Sequence, residues 1–255
     1  MLIKTEGIVI RTRDYGESHK VIVLFTAERG KLPVMARGAK RPRSRLGAVT
    51  QLFTRGHYLC FFGTGTGMGT LSQGELISSH HGIRSDLLLM ATAAYLAELL
   101  DRMTEEKDPQ PALYRLLSST LDQLDEGIDP EILARIFELR VLEAAGYRPV
   151  LDKCAFCGSS GPFVSFSVRQ GGFLCADCLH RDPHPILLSE KTVRILRLLQ
   201  RTTPERLGKV RVKEETKAQL ERVLRAFIDE YAGISFKSRP FLDQMRKDWS
   251  KSPDR

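Results

Sequence analysis

The chain has few cysteines and little aromatic weight, and it lacks long apolar runs. Five cysteines in 255 residues exclude a disulfide-built secreted domain. The longest apolar stretch, Leu87 to Leu100, holds 14 residues and includes Glu98, short of the roughly 20 needed to span a bilayer. The opening Met1-Leu2-Ile3-Lys4-Thr5-Glu6 is not a basic-then-apolar leader. A cytoplasmic protein is expected. Catalytic signatures are missing as well: no HExxH, no GxSxG, no Walker loop. The glycines from Gly63 to Gly69 have neither the spacing nor the Lys-Ser/Thr of a phosphate loop and read as an inter-strand connection. His80-His81 lacks the HxE partner of a zinc deaminase. Asp122, Asp125, Glu126 and Asp129 read as a solvated helix end. No enzyme is expected.

Four of the five cysteines fall in a pattern. Cys154-x-x-Cys157 and Cys175-x-x-Cys178 stand 17 residues apart. Each pair can close on one metal from a tight turn, and two pairs complete a tetrahedron. Four thiolates leave no position for water, so the spacing predicts one structural Zn²⁺. Gly158 suits the left-handed turn of such a knuckle. Cys60, inside Tyr58-Leu59-Cys60-Phe61-Phe62, is expected to be a core thiol. His180 and His184 follow the second knuckle and are alternative ligands.

The formal charge of +8 is unevenly spread. Residues 1–83 carry 12 Lys/Arg against 5 Asp/Glu, residues 84–150 carry 7 against 13, and residues 183–255 carry 17 against 10. A polyanionic partner for the ends, most simply nucleic acid, follows from that asymmetry. In the C-terminal part, where Lys/Arg alternate with Glu along helices, solvated faces account for the charge equally well.

Periodicity divides the chain. Gly7–Arg11, Lys20–Thr26, Lys31–Ala36, His57–Phe62 and Thr70–Ile77 read as short strands separated by turns, a small barrel or a sandwich. From Arg84 the period becomes helical. Helices are expected from Leu87, over Ala112–Leu124, and after Asp129-Pro130, an N-cap followed by a first-turn proline. Between the knuckles, Phe163–Ser167 and Gly171–Leu174 read as a hairpin. Helices resume over Ser189–Leu199, Glu214–Tyr231 and Arg239–Trp249, and residues 250–255 read as a disordered tail. The class is α+β and multidomain: 1–80 a nucleic-acid-binding barrel, 81–150 and 183–250 two parts of a helical domain, 151–182 an inserted four-cysteine module, and 251–255 a tail.

Arg37-Gly-Ala-Lys40-Arg41-Pro-Arg43-Ser-Arg45 places five positive charges in nine residues with no acid among them. A basic loop leaving a strand can follow a phosphate backbone. Arg11, Arg13 and Lys20 extend the patch. Tyr15, Phe25, Phe53 and Tyr58 are available aromatics, most of them expected in the core.

Four stretches carry a family resemblance: Thr5-Glu6-Gly7-Ile8-Val9-Ile10-Arg11-Thr12-Arg13-Asp14-Tyr15-Gly16-Glu17-Ser18, Arg37–Arg45, Gly69-Thr-Leu-Ser-Gln-Gly-Glu75, and Phe137-Glu-Leu-Arg-Val-Leu-Glu-Ala-Ala-Gly-Tyr-Arg-Pro149. In that order they resemble the bacterial RecO family of recombination mediators. The cysteines fall where zinc-bearing members of the family have theirs. The resemblance implies an N-terminal OB-fold, a helical domain and an inserted zinc module. It also implies DNA repair and homologous recombination: binding of single- and double-stranded DNA, strand annealing, and work with RecR to load recombinase onto strands coated with single-stranded-DNA-binding protein. A nucleoid-associated location would follow. In this family the C-terminal tail of single-stranded-DNA-binding protein docks on the helical domain, where Arg194, Arg197, Arg222 and Arg225 are candidate cations. A zinc-ribbon nucleic-acid or protein-binding scaffold without annealing activity is the alternative.

Overall fold

The computed structural model describes residues 1–63, 67–233 and 235–250. The middle of the glycine-rich connection and the tail residues 251–255 lie outside the described residues. The chain divides into two compact units, Met1–Gly127 with Phe236–Arg255, and Ile128–Ser235.

In the first unit, five strands close a barrel: β1 Leu2–Tyr15, β2 His19–Thr26, β3 Gly30–Ala36, β4 Arg55–Phe61 and β5 Gly69–Ser78, in the order β1-β2-β3-β5-β4. Four of the expected strands lie within two residues of their observed ends. The first is far longer, because β1 serves two neighbours. Its first half, Leu2–Ile8, pairs with β4, and its second half, Ile8–Tyr15, pairs with β2. The register shifts between Val9 and Arg11, and this bulge lets one strand turn from one neighbour to the other. The short parallel contact of β3 with β5, at Val34–Gly69 and Met35–Thr70, closes the ring. This is the five-stranded Greek-key barrel of an OB-fold. Inward residues such as Val9, Ile22, Leu24, Val34 and Tyr58 form the barrel core, with Cys60 among them. Burial pushes the Cys60 thiol up to about 11, so it is an inert core group.

Three helices cover part of the barrel: α1 His81–Ser85, α2 Leu87–Met103 and α3 Pro111–Asp125. The Asp86 side chain caps α2, accepting from Leu88 N at 2.8 Å and Leu89 N at 3.0 Å. Buried Lys31 of β3 donates to the Asp101 and Thr104 carbonyls at 2.7 and 2.9 Å, placing a cation at the C-terminus of α2. The acidic turn proves structural rather than solvated. Asp122 faces His80 Nε2 at 2.9 Å and Arg55 at 3.0 Å, and Asp125 accepts from Ile83 N at 2.9 Å.

The second unit is built on α4 Pro130–Ala144. Asp129 caps it as expected, accepting from Glu131 N at 3.0 Å and Ile132 N at 3.3 Å. The helix is buried on nearly every side, including the Arg135–Glu138 pair at 3.1 Å. A three-stranded sheet follows: β6 Phe163–Ser167, β7 Gly172–Cys175 and β8 Ile186–Leu187, in the order β7-β6-β8. Then come α5 Glu190–Leu199 and α6 Glu214–Ala232. Aromatic contacts fasten the sheet to α6: Phe173 meets Phe166 at 6.1 Å, Phe166 meets Phe227 at 5.7 Å, and Phe227 meets Tyr231 at 4.4 Å. The last helix, α7 Arg239–Ser250, belongs to the first unit and packs on α2.

Candidate nucleic-acid interface and candidate metal centre

The basic segment leaves β3 at Ala36 and folds as a chain of turns. Arg41 N bonds to the Gly38 carbonyl, Ser44 N to that of Arg41, and Gly47 N to that of Ser44, each at 3.1 Å. Two apolar residues anchor it: Ala39 is buried in the barrel core and Leu46 packs against that core. Two bonds tie it to the β1–β2 hairpin, Lys40 N to the Ser18 carbonyl at 3.0 Å and Gly38 N to His19 Nδ1 at 2.9 Å. The small residues and the leucine therefore point in, and Arg37, Lys40, Arg41, Arg43 and Arg45 are all exposed. Arg43 holds a left-handed φ of 60°, a conformation that costs a side-chain-bearing residue free energy.

The charges differ in what they face. Among the described residues, Arg37, Arg41, Arg43 and Arg45 have no acidic partner. Lys40 is paired with Asp14 at 2.7 Å. That hydrogen bond is the main reason the Asp14 carboxyl sits below its ordinary range. Lys20 stands on β2 opposite Asp14, and Arg13 is the neighbouring position of β1. Arg11 is set apart from this group: its guanidinium bonds Asp101 of α2 at 3.1 Å. The structure thus gathers seven of the eight proposed cations around the hairpin tip and the loop, and ties Arg11 to a helix.

Of the candidate aromatics, Phe25, Phe53 and Tyr58 are core residues, while Tyr15 is 53% exposed. Phe61, which sequence reasoning placed in an apolar run, is 54% exposed. Burial alternates along β4, with Tyr58 and Cys60 in and Phe61 out, a pattern that the wholly apolar run Tyr58–Phe62 does not show in sequence. Tyr15, His19, Met35, Arg37, Phe61, Met68 and Thr70 line an open groove of about 730 Å³ beside the basic loop. A Cβ on Gly69 at its rim would meet the Phe62 ring at 2.7 Å, so any side chain there would require that ring to shift.

In the second unit the two knuckles converge. The ligand atoms of Cys154, Cys157, Cys175 and Cys178 all lie within 4.8 Å of one another, and the Cys157 and Cys175 Sγ atoms are 3.7 Å apart. A tetrahedral site with metal–sulfur bonds of about 2.3 Å requires sulfur separations of about 3.8 Å, so the four thiols fit one ion. The first knuckle closes through Gly158 N to the Cys154 carbonyl at 2.9 Å, with Gly158 at φ +77°. The Ser159 hydroxyl and N–H group at its sulfur, with the neighbouring thiols, bring Cys157 down to about 6. Burial and the three neighbouring sulfurs push Cys178 up to about 12. His180 and His184 are not part of the cluster.

The first 80 residues match the family model for the Recombination protein O N terminal, and residues 84–240 match that for the Recombination protein O C terminal. The chain belongs to the RecO family. It is 49% identical over 245 residues to DNA repair protein RecO of Bacillus subtilis, covering 96% of this chain and 95% of that protein. The relative of the same name from Bacillus cytotoxicus is 48% identical over 247 residues, covering 97% and 99%. That of Halalkalibacterium halodurans is 46% identical over 245 residues, covering 96% of each. The boundary between the two RecO models falls at the end of the barrel. No helix among the described residues is long and apolar enough to cross a membrane.

Proposed function

We propose that this chain is a recombination mediator in DNA repair: it binds single- and double-stranded DNA, anneals complementary strands, and with RecR helps load recombinase onto strands coated with single-stranded-DNA-binding protein. One observation carries the reading. Four arginines with no acidic partner among the described residues stand on a loop whose backbone is pinned by turns and whose apolar residues are anchored in the barrel. Exposed cations carried on a pinned backbone are suited to phosphates. Neutralising phosphates on two strands lowers their mutual repulsion, and base pairing supplies the rest. No covalent step is involved. Cys154, Cys157, Cys175 and Cys178 would hold one Zn²⁺, which would cross-link the two knuckles and stiffen the module.

The test is annealing of complementary strands pre-coated with the cognate single-stranded-DNA-binding protein, with no nucleotide or Mg²⁺ added. Acceleration is expected. Removing Arg41, Arg43 and Arg45 together should abolish it and flatten the log–log salt slope of single-strand binding by about 2, at about 0.7 per phosphate contact. Binding without annealing in the unaltered chain would leave a zinc-bearing nucleic-acid scaffold instead.

A further inference from the structure

Register places a row of residues on the outer face of the barrel that no sequence window contains. Arg13 is opposite Val21, Val21 opposite Met35, Met35 opposite Thr70, and Thr70 opposite Phe61. Directly opposed residues share a face. The row crosses all five strands and so winds around the outside of the closed barrel, in four steps of about 4.8 Å each. Its Met35–Thr70–Phe61 end is the floor of the groove described above, and Tyr15 and Arg37 stand in the same lining. Two rings more than half exposed, in a chain where Phe25, Phe53 and Tyr58 are buried, are not there to fill the core.

We propose that this groove is a base-stacking subsite. An unpaired base of single-stranded DNA lies on Phe61, with Tyr15 beside it, while Arg37 and the loop take the adjoining phosphates. The proposal rests on the nucleic-acid reading of the loop and adds a preference for unpaired strands. Charge selects the occupant. The lining holds Arg37 and no acid, and the groove is continuous with the loop that starts at Arg37. An anion with a flat apolar face, repeated along a chain, matches both parts. Ring-on-base stacking accepts any base, whereas a paired base has both faces covered by its neighbours.

The experiment uses the full chain and three labelled probes of equal length: oligo(dT), an abasic strand with the same phosphates, and a duplex. The unaltered chain should bind oligo(dT) at least about 5-fold more tightly than the abasic strand, the lower limit for stacking one base. Phe61→Ala should lose that margin and leave both the abasic affinity and the salt slope unchanged. Phe61→Trp should restore the margin and show fluorescence quenching on oligo(dT) only. Phe61 is exposed, so these variants should keep the fold.

Equal binding of oligo(dT) and abasic strand by the unaltered chain would overturn the subsite and leave the loop reading standing. So would a Phe61→Ala loss that is the same on both strands. Failure of the unaltered chain to bind either strand would overturn the loop reading and the subsite with it. If Phe61→Ala bound oligo(dT) as tightly as the unaltered chain, the ring would not be a stacking platform and the proposal would fail.

Discussion

Lys40 and Arg41 are adjacent in sequence, yet Lys40 faces the Asp14 carboxylate at 2.7 Å and Arg41 has no acidic partner among the described residues. A run of basic residues shows how many charges a loop carries but not which are spoken for. That depends on Asp14, 26 positions away in sequence and brought close by the β1–β2 hairpin. The pairing makes a residue-scale prediction. Asp14→Asn removes the internal competitor and frees Lys40 for a phosphate. Single-strand affinity should rise, and the salt slope should steepen by about 0.7, one added contact. An unchanged slope in an anisotropy titration over salt would mean Lys40 does not reach the strand. Phe61 illustrates the same limit on sequence reading. Its neighbours Tyr58 and Cys60 are buried, and only the pleat and register put its ring outside.

The elements themselves were largely legible, because their signals are local. Asp86, Asp129 and Ser189 cap helices that begin within one residue of the expected places. The strands follow their β-branched runs. The length of β1 and the closure of the barrel were not legible, since both depend on pairing between residues more than 30 positions apart, Leu2 with Phe61 for the first and Val34 with Gly69 for the second. The cysteine spacing was legible for the reason a motif usually is: two short turns must deliver four sulfurs to one point. Here Cys175 ends β7 and Cys154 precedes β6, so a bound metal ties the first knuckle to the sheet that packs on α6. One metal ion per chain is expected by elemental analysis. Stripping it should lower the stability of the second unit by about 3 kcal/mol or more. Faster hydrogen exchange should be confined to residues near 151–182. Cys157→Ser should do the same, while oligonucleotide binding by the barrel keeps its salt slope. A chain purified without metal that shows full protection over those residues would exclude a metal as the staple.

At the scale of the molecule, the chain leaves the first compact unit at Gly127 and returns to it at Phe236. A carboxylate helps to fix the return. Glu98 of α2 accepts from Lys237 N at 3.0 Å, Ser238 N at 2.8 Å and the Ser238 hydroxyl at 2.6 Å, just ahead of α7. Phe236 packs edge-on against Tyr95 at 5.8 Å beside this contact. Partial burial opposes the Glu98 charge, but the Ser238 hydroxyl and the two N–H groups outweigh it and hold the carboxyl below its ordinary range. The sign of the linkage follows. A lowered folded-state value stabilises the docked helix fully above the ordinary carboxyl value of about 4.3, and that contribution is lost as pH falls through the lower folded-state value. Acidification below about pH 4 should therefore loosen α7 before the barrel opens. Glu98→Ala should loosen it at neutral pH, read as early proteolytic cleavage after residue 235 with the barrel fragment intact. Glu98→Gln retains an acceptor oxygen without the charge, and should give intermediate cleavage that no longer changes with pH in this range. Cleavage of Glu98→Ala no faster than the unaltered chain would show that packing of Phe236 and α7 on α2 holds the return segment without the carboxylate.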